Sequence, residues 1–106
     1  MRQWVSKVLR RIRKLARDRQ VWFTLKARRE IATLGIGLDE RDACEVLAEL
    51  GPEDSAGRIR SMATQEWMYV FKPELSGTTL YVKLLLREQC LVVSFHADEG
   101  ESNDGE

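Results

Sequence analysis

The stretch TLYVKLLLREQCLVVSFH, residues 79–96, brings a tyrosine, a lysine and a serine together with the only histidine of the chain. Histidine is the side-chain type that changes charge near neutral pH, so it gives and takes protons under ordinary conditions. Tyrosine adds a hydroxyl donor, and lysine and arginine add fixed positive charge. These groups suit metal-free cleavage of RNA. A base removes the 2′-hydroxyl proton, a cation stabilises the dianionic phosphorane, and an acid protonates the departing 5′-oxygen. The plainer reading of the same residues is a surface pair at the end of a core hairpin.

Strand parity separates the two faces of this stretch. With a two-residue turn at Glu88 and Gln89, Arg87 faces Cys90, Leu86 faces Leu91, Leu84 faces Val93 and Val82 faces Phe95. Those apolar residues, with Leu80, form the core side. On the other side Tyr81 meets His96, Lys83 meets Ser94 and Leu85 meets Val92. A slip of one residue would bury Lys83 and expose the leucines, so this register is favoured. Arg58 and Arg60, from RIRSMAT, are expected to join the polar face. It contains no carboxylate cluster, so no divalent-metal site is expected.

Three helices precede these strands. Trp4, Val5, Val8, Leu9, Ile12, Leu15 and Ala16 recur at helical spacing, with Arg and Lys on the other face. That helix reads as core-facing with a solvated charged side, as phosphate-contacting, or as lying on a membrane surface. In LKARREIATLG, Thr24 is placed to cap the start and Gly35 to take the left-handed position after the end. In LDERDACEVLAELGP, Asp39 is the cap, Ala43, Val46, Leu47 and Leu50 form the buried stripe, and Gly51 and Pro52 stop the helix. From Gly57 the period becomes two. RIRSMAT, EWMYVFKP, GTTLYVKLLL and CLVVSF then form a four-strand meander. Helices followed by strands imply an α+β domain, with helices packed on one face of an antiparallel sheet.

At 106 residues and 43% hydrophobic content, one domain over residues 1–96 is expected. Cys44 and Cys90 lie in apolar stretches, as reduced core residues of an intracellular protein. No run is long and apolar enough for a membrane span, and charges interrupt the first residues too often for a signal peptide. The net charge of +0 conceals polarity: eleven of the 17 basic residues fall in residues 1–30. Residues 97–106, ADEGESNDGE, are acidic and are expected to be a disordered tail. Such a division points to a polyanionic partner.

RQVWFT, LGIGLDERDACEVLAELGPED, IRSMAT, EWMYVFKPEL and GTTLYVKLLLREQCLVVSF, in this order, resemble the motility quorum-sensing regulator (MqsR) family of bacterial type II toxins. The similarity spans Gln20 to His96 and is most specific in LYVK and LVVSF. It implies a RelE-like α+β fold and a metal-independent mRNA endoribonuclease of the cytoplasm. It also implies no cofactor and a cognate antitoxin with a helix-turn-helix DNA-binding part. A homodimer and a toxin–antitoxin hetero-oligomer are both open. The family's catalytic tyrosine falls on Tyr81. Arg60 and His96 stand where the family has lysine, and Met68 where it has glutamine. Tyr81, His96 and Arg60 are expected to be catalytic, and Arg58, Lys83, Met68 and Lys72 to bind RNA. The alternative function is a non-catalytic nucleic-acid-binding or regulatory subunit with a decayed nuclease site.

Overall fold

The structure is a computed structural model that describes residues 2–99. Its first helix, α1 (Gln3–Arg17), buries Val5, Val8, Leu9, Ile12, Leu15 and Ala16 along one stripe. Strand β1 (Val21–Phe23) follows, then α2 (Leu25–Thr33) and α3 (Glu40–Ala48). The expected caps form. The Ala27 N–H donates to the Thr24 hydroxyl at 3.0 Å. Asp39 and Asp42 cap each other's backbone N–H groups at 2.8 and 3.1 Å. Gly35 has φ +77°, the left-handed turn that lets α2 end. The Arg13 guanidinium of α1 donates twice to the Leu50 carbonyl, at 2.9 and 2.6 Å, clasping the chain just beyond α3. Pro52 then opens a single 3-10 turn, Pro52–Asp54.

Five further strands complete the sheet: β2 (Ser55–Arg60), β3 (Trp67–Phe71), β4 (Glu74–Leu75), β5 (Thr78–Leu86) and β6 (Cys90–Ala97). Their order is β1-β6-β5-β3-β2, with β4 beside β5. The α+β arrangement of helices followed by strands is as expected. The four-strand meander acquires two additions. Val21–Phe23 runs parallel to β6, pairing with Cys90, Leu91 and Val92, and Glu74–Leu75 pairs with Thr78 and Thr79. The sheet is therefore mixed, its parallel pair joined by a long connection that carries α2, α3 and the other strands. Phe71, Leu80, Val82, Leu84, Val92 and Phe95 form one core with the buried faces of all three helices.

The β5–β6 register agrees with parity where the site lies and departs from it near the turn. Leu80–Ala97, Tyr81–His96, Val82–Phe95 and Lys83–Ser94 pair directly. Beyond a bulge next to Lys83, Leu84 faces Val92, Leu85 faces Leu91 and Leu86 faces Cys90. The turn is thus one residue longer than expected, Arg87 to Gln89, and the bulge takes up the extra residue at Val93. The core side of β6 is corrected accordingly beyond the bulge: Cys90 and Val92 are buried in the core where the two-residue turn had put Leu91 and Val93, while the pairs from Lys83 to Leu80 keep their expected sides. Ala97 belongs to β6, and the Asp98 N–H donates to the Thr79 carbonyl at 2.8 Å, so the ordered strand runs into the expected tail. The rest of that tail, residues 100–106, lies outside the described residues. Cys44 and Cys90 are free and buried, and burial pushes the Cys90 thiol up to about 12.

Past the end of β1, α2 covers the outer edge of β6. The Phe95 N–H, which has no strand neighbour on that side, donates to the Glu30 carboxylate at 2.8 Å. Glu30 also pairs with the Lys26 ammonium at 2.8 Å. Burial alone pushes the Glu30 carboxyl up, but the Lys26 and Phe95 hydrogen bonds and the nearby positive charges outweigh it. The group is held below its ordinary 4.5. A depressed folded value means that the charged carboxylate stabilises the fold above the ordinary value. That contribution is lost as pH falls from about 4.5 through the lower folded value. The stability gap between wild type and Glu30→Gln, read from urea midpoints, is therefore expected to narrow as pH drops below this point. A gap that stays constant into acid would show that the charge of Glu30 contributes nothing.

Candidate active site

Cross-strand neighbours in an antiparallel pair share a face. The face away from the helices accordingly carries Tyr81 and His96 as one pair, Lys83 and Ser94 as the next, and Val70 opposite Lys83 on β3. Val70 and Leu85 are buried there, yet both stand outside the helix-side core. The Tyr81 and His96 rings stack with centroids 5.1 Å apart and planes 12° from parallel. The His96 Nδ1 lies 2.8 Å from the Ala97 carbonyl oxygen. A carbonyl only accepts, so Nδ1 carries the hydrogen, and in the neutral ring Nε2 is left with the proton-accepting lone pair.

Two lysines flank the stack. The Lys72 ammonium is 6.0 Å from the Tyr81 ring centroid and 3.5 Å from Asp98. Lys83 stands two residues along β5 from Tyr81, and no carboxylate among the described residues pairs with it. Ser94 is buried, and its hydroxyl oxygen lies 2.9 Å from the Lys26 ammonium. It therefore orients α2 rather than facing solvent. On the other side of His96 a groove of about 550 Å³ opens between α2 and the end of β6, lined by Lys26, Glu30, Thr33, Leu34, Ala97 and Glu99.

Arg58 and Arg60 are not where the sequence reading put them. Arg58 pairs with Tyr69 and Arg60 with Trp67, both on the helix side of the sheet. Arg58 lies over Trp4 of α1 at 4.9 Å and over Trp67 at 4.0 Å, and Arg60 over Trp67 at 4.2 Å. The expectation that they join Tyr81 is corrected. The β2–β3 register shifts between Ser55 and Arg58, where Gly57 adopts φ +105°, and Trp4 and Trp67 supply surfaces on which guanidinium groups stack. The Arg60 guanidinium also donates to the Gln65 carbonyl at 2.7 Å. Met68 does lie on the Tyr81 face, opposite the half-exposed Ile59.

Sequence reading missed three neighbours of the site. Lys26 and Glu30 come from a helix that parity arguments within a sheet do not reach, although their four-residue spacing marks them as a pair. Asp98 was assigned to a featureless tail. Trp22, 62% exposed, pairs with Leu91 and extends the outer face to its β1 edge.

Among the described residues no group of three or more His, Cys, Asp and Glu side chains is arranged to hold a metal ion. No helix among them is long and apolar enough to cross a membrane. A search of curated proteins found no match to the chain. Comparison with known families matches residues 6–97 to the one described as motility quorum-sensing regulator, toxin of MqsA. Most of the chain is matched, including every strand of the site, so the protein belongs to this family and is the toxin of a toxin–antitoxin system, with an antitoxin of the MqsA kind as its partner.

Proposed function

We propose that the toxin is a metal-independent endoribonuclease that cuts mRNA in the cytoplasm and so halts translation. The stacked Tyr81–His96 pair, with His96 Nδ1 committed to a carbonyl, is the observation that carries this reading. His96 Nε2 takes the proton of the 2′-hydroxyl, and the 2′-oxygen attacks phosphorus. The bond to the 5′-oxygen breaks, and Tyr81 supplies the proton for that leaving oxygen. The products are a 2′,3′-cyclic phosphate and a 5′-hydroxyl, and a proton passed from His96 to the tyrosine through water restores both groups. Lys83 stabilises the phosphorane, in the role expected of Arg60, because Arg60 stands on the opposite face. Lys72 binds a flanking phosphate in competition with Asp98. The antitoxin is proposed to carry a helix-turn-helix DNA-binding part.

Met68 favours a second reading, a binding subunit with a decayed site, because a thioether cannot supply the hydrogen bonds of the family's glutamine. Incubating the purified chain with short RNA in EDTA decides between them. Fragments ending in a 2′,3′-cyclic phosphate, and growth arrest on expression that Tyr81→Phe relieves, are expected. RNA that is bound but stays intact, together with harmless expression, would leave the binder.

A further inference from the structure

The stack of Trp4, Arg58, Trp67 and Arg60 lies at the free edge of the sheet and takes no part in the chemistry proposed for Tyr81. Arg58 is held between two indoles, 4.9 and 4.0 Å from their centroids. Both flat faces of its guanidinium are thereby occupied, and no carboxylate among the described residues pairs with it. A guanidinium stacked on indoles keeps its N–H edge for a bidentate acceptor such as a phosphate. Arg60, two residues on, stacks on Trp67 alone and gives one N–H to the Gln65 carbonyl, leaving its other N–H groups roughly 7 Å along the strand from Arg58, close to the separation of neighbouring phosphates in an extended single strand.

Two further features continue this surface. Beside Trp4 a groove of about 480 Å³ is lined by Arg2, Val5, Pro52, Glu53 and Gly57. An indole, apolar walls and one carboxylate suit an unpaired base with an exocyclic amino group, whereas a phosphate would meet the charge of Glu53. Along α1, Lys7 and Arg11 follow Trp4 at three- and seven-residue spacing, on the same side of the helix. Lys7 has no acidic partner among the described residues, and Arg11 donates to the Arg87 carbonyl at the β5–β6 turn, 3.1 Å away. Ile59, 47% exposed, lies between Arg58 and Arg60 on β2, opposite Met68 on the Tyr81 face.

We propose that this edge is a second RNA-binding surface, which holds single-stranded RNA beyond the cleavage site with Arg58 and Arg60 on successive phosphates and a base beside Trp4. The proposal rests on the ribonuclease reading, and it adds how the substrate is gripped away from the cut. The probe is a short single-stranded 2′-O-methyl oligoribonucleotide, which the site cannot cleave, titrated at several salt concentrations. Arg58→Gln is expected to weaken binding about tenfold and to flatten the slope of log affinity against log salt by about 0.7. Trp4→Leu is expected to weaken binding without changing that slope, because it removes stacking and no charge. Arg58→Lys should keep the slope and lose affinity. Wild-type affinity and slope in a folded Arg58→Gln chain, with Lys83→Gln impaired, would overturn the second surface alone. Unaltered RNA binding with loss of affinity for an acidic antitoxin peptide would reassign the edge to protein docking. A wild-type chain that binds no RNA would overturn this inference together with the ribonuclease reading.

Discussion

Replacing His96 by alanine is expected to slow the proposed RNA cleavage by about 10²–10⁴-fold, the usual value of one positioned proton-transfer group. The substitution leaves the strand in place, because Val82 opposite Phe95 and Leu80 opposite Ala97 hold the hairpin on the core side. Only the ring that lies on Tyr81 and donates to the Ala97 carbonyl is removed. The measurement is single-turnover cleavage of a short RNA in EDTA, beside binding of a non-cleavable analogue. Binding within a few-fold of wild type, with the rate reduced, assigns His96 to proton transfer. A rate equal to wild type removes it from the reaction. His96→Lys restores the side chain that the family resemblance gives at this position and should recover part of the lost rate.

Truncating Phe95 to alanine is expected to cost about 3–5 kcal/mol, because its ring is fully buried and its loss leaves a cavity as well as lost transfer free energy. A domain of this size has only about 5–15 kcal/mol in total, so the variant sits near the threshold of folding. Urea unfolding should show a much lower midpoint with an unchanged slope. Phe95 lies between Ser94 and His96, and its N–H is the donor that Glu30 receives. Any loss of toxicity in this variant should therefore return under conditions that restore folding, as it would not for His96→Ala. A cost below about 1 kcal/mol would mean that the core collapses around the gap and that the packing assigned to β6 is wrong.

The part of the site legible in sequence was the part governed by local alternation. Tyr81 opposite His96 and Lys83 opposite Ser94 were placed by alternation together with an assumed two-residue turn, and they stand because the bulge at Val93 offsets the longer turn. The bulge beside Lys83 was invisible because nothing in LVVSF distinguishes Val92 from Val93 until the sheet is assembled. The faces of Arg58 and Arg60 failed for a related reason. Alternation says that they share a side, but a register shift at Gly57 and an indole arriving from α1 decide which side. Three-residue β1 was unassigned because so short a strand exists only through its partner, and that partner is some 70 residues away in the chain. Helix caps were read correctly, since Thr24 and Asp39 act on groups within three residues of themselves.

The strand order β1-β6-β5-β3-β2 has a consequence in time. β6 is made last of the sheet, yet it is the strand that joins Val21–Phe23 to the rest and carries His96. A ribosome that has released everything up to Leu86 has extruded three helices with no complete surface to rest on, and half of a stacked pair. The sheet closes, and the candidate catalytic pair first exists, only when residues 90–97 emerge. A chain whose synthesis stops short of them lacks both a strand of the core and His96.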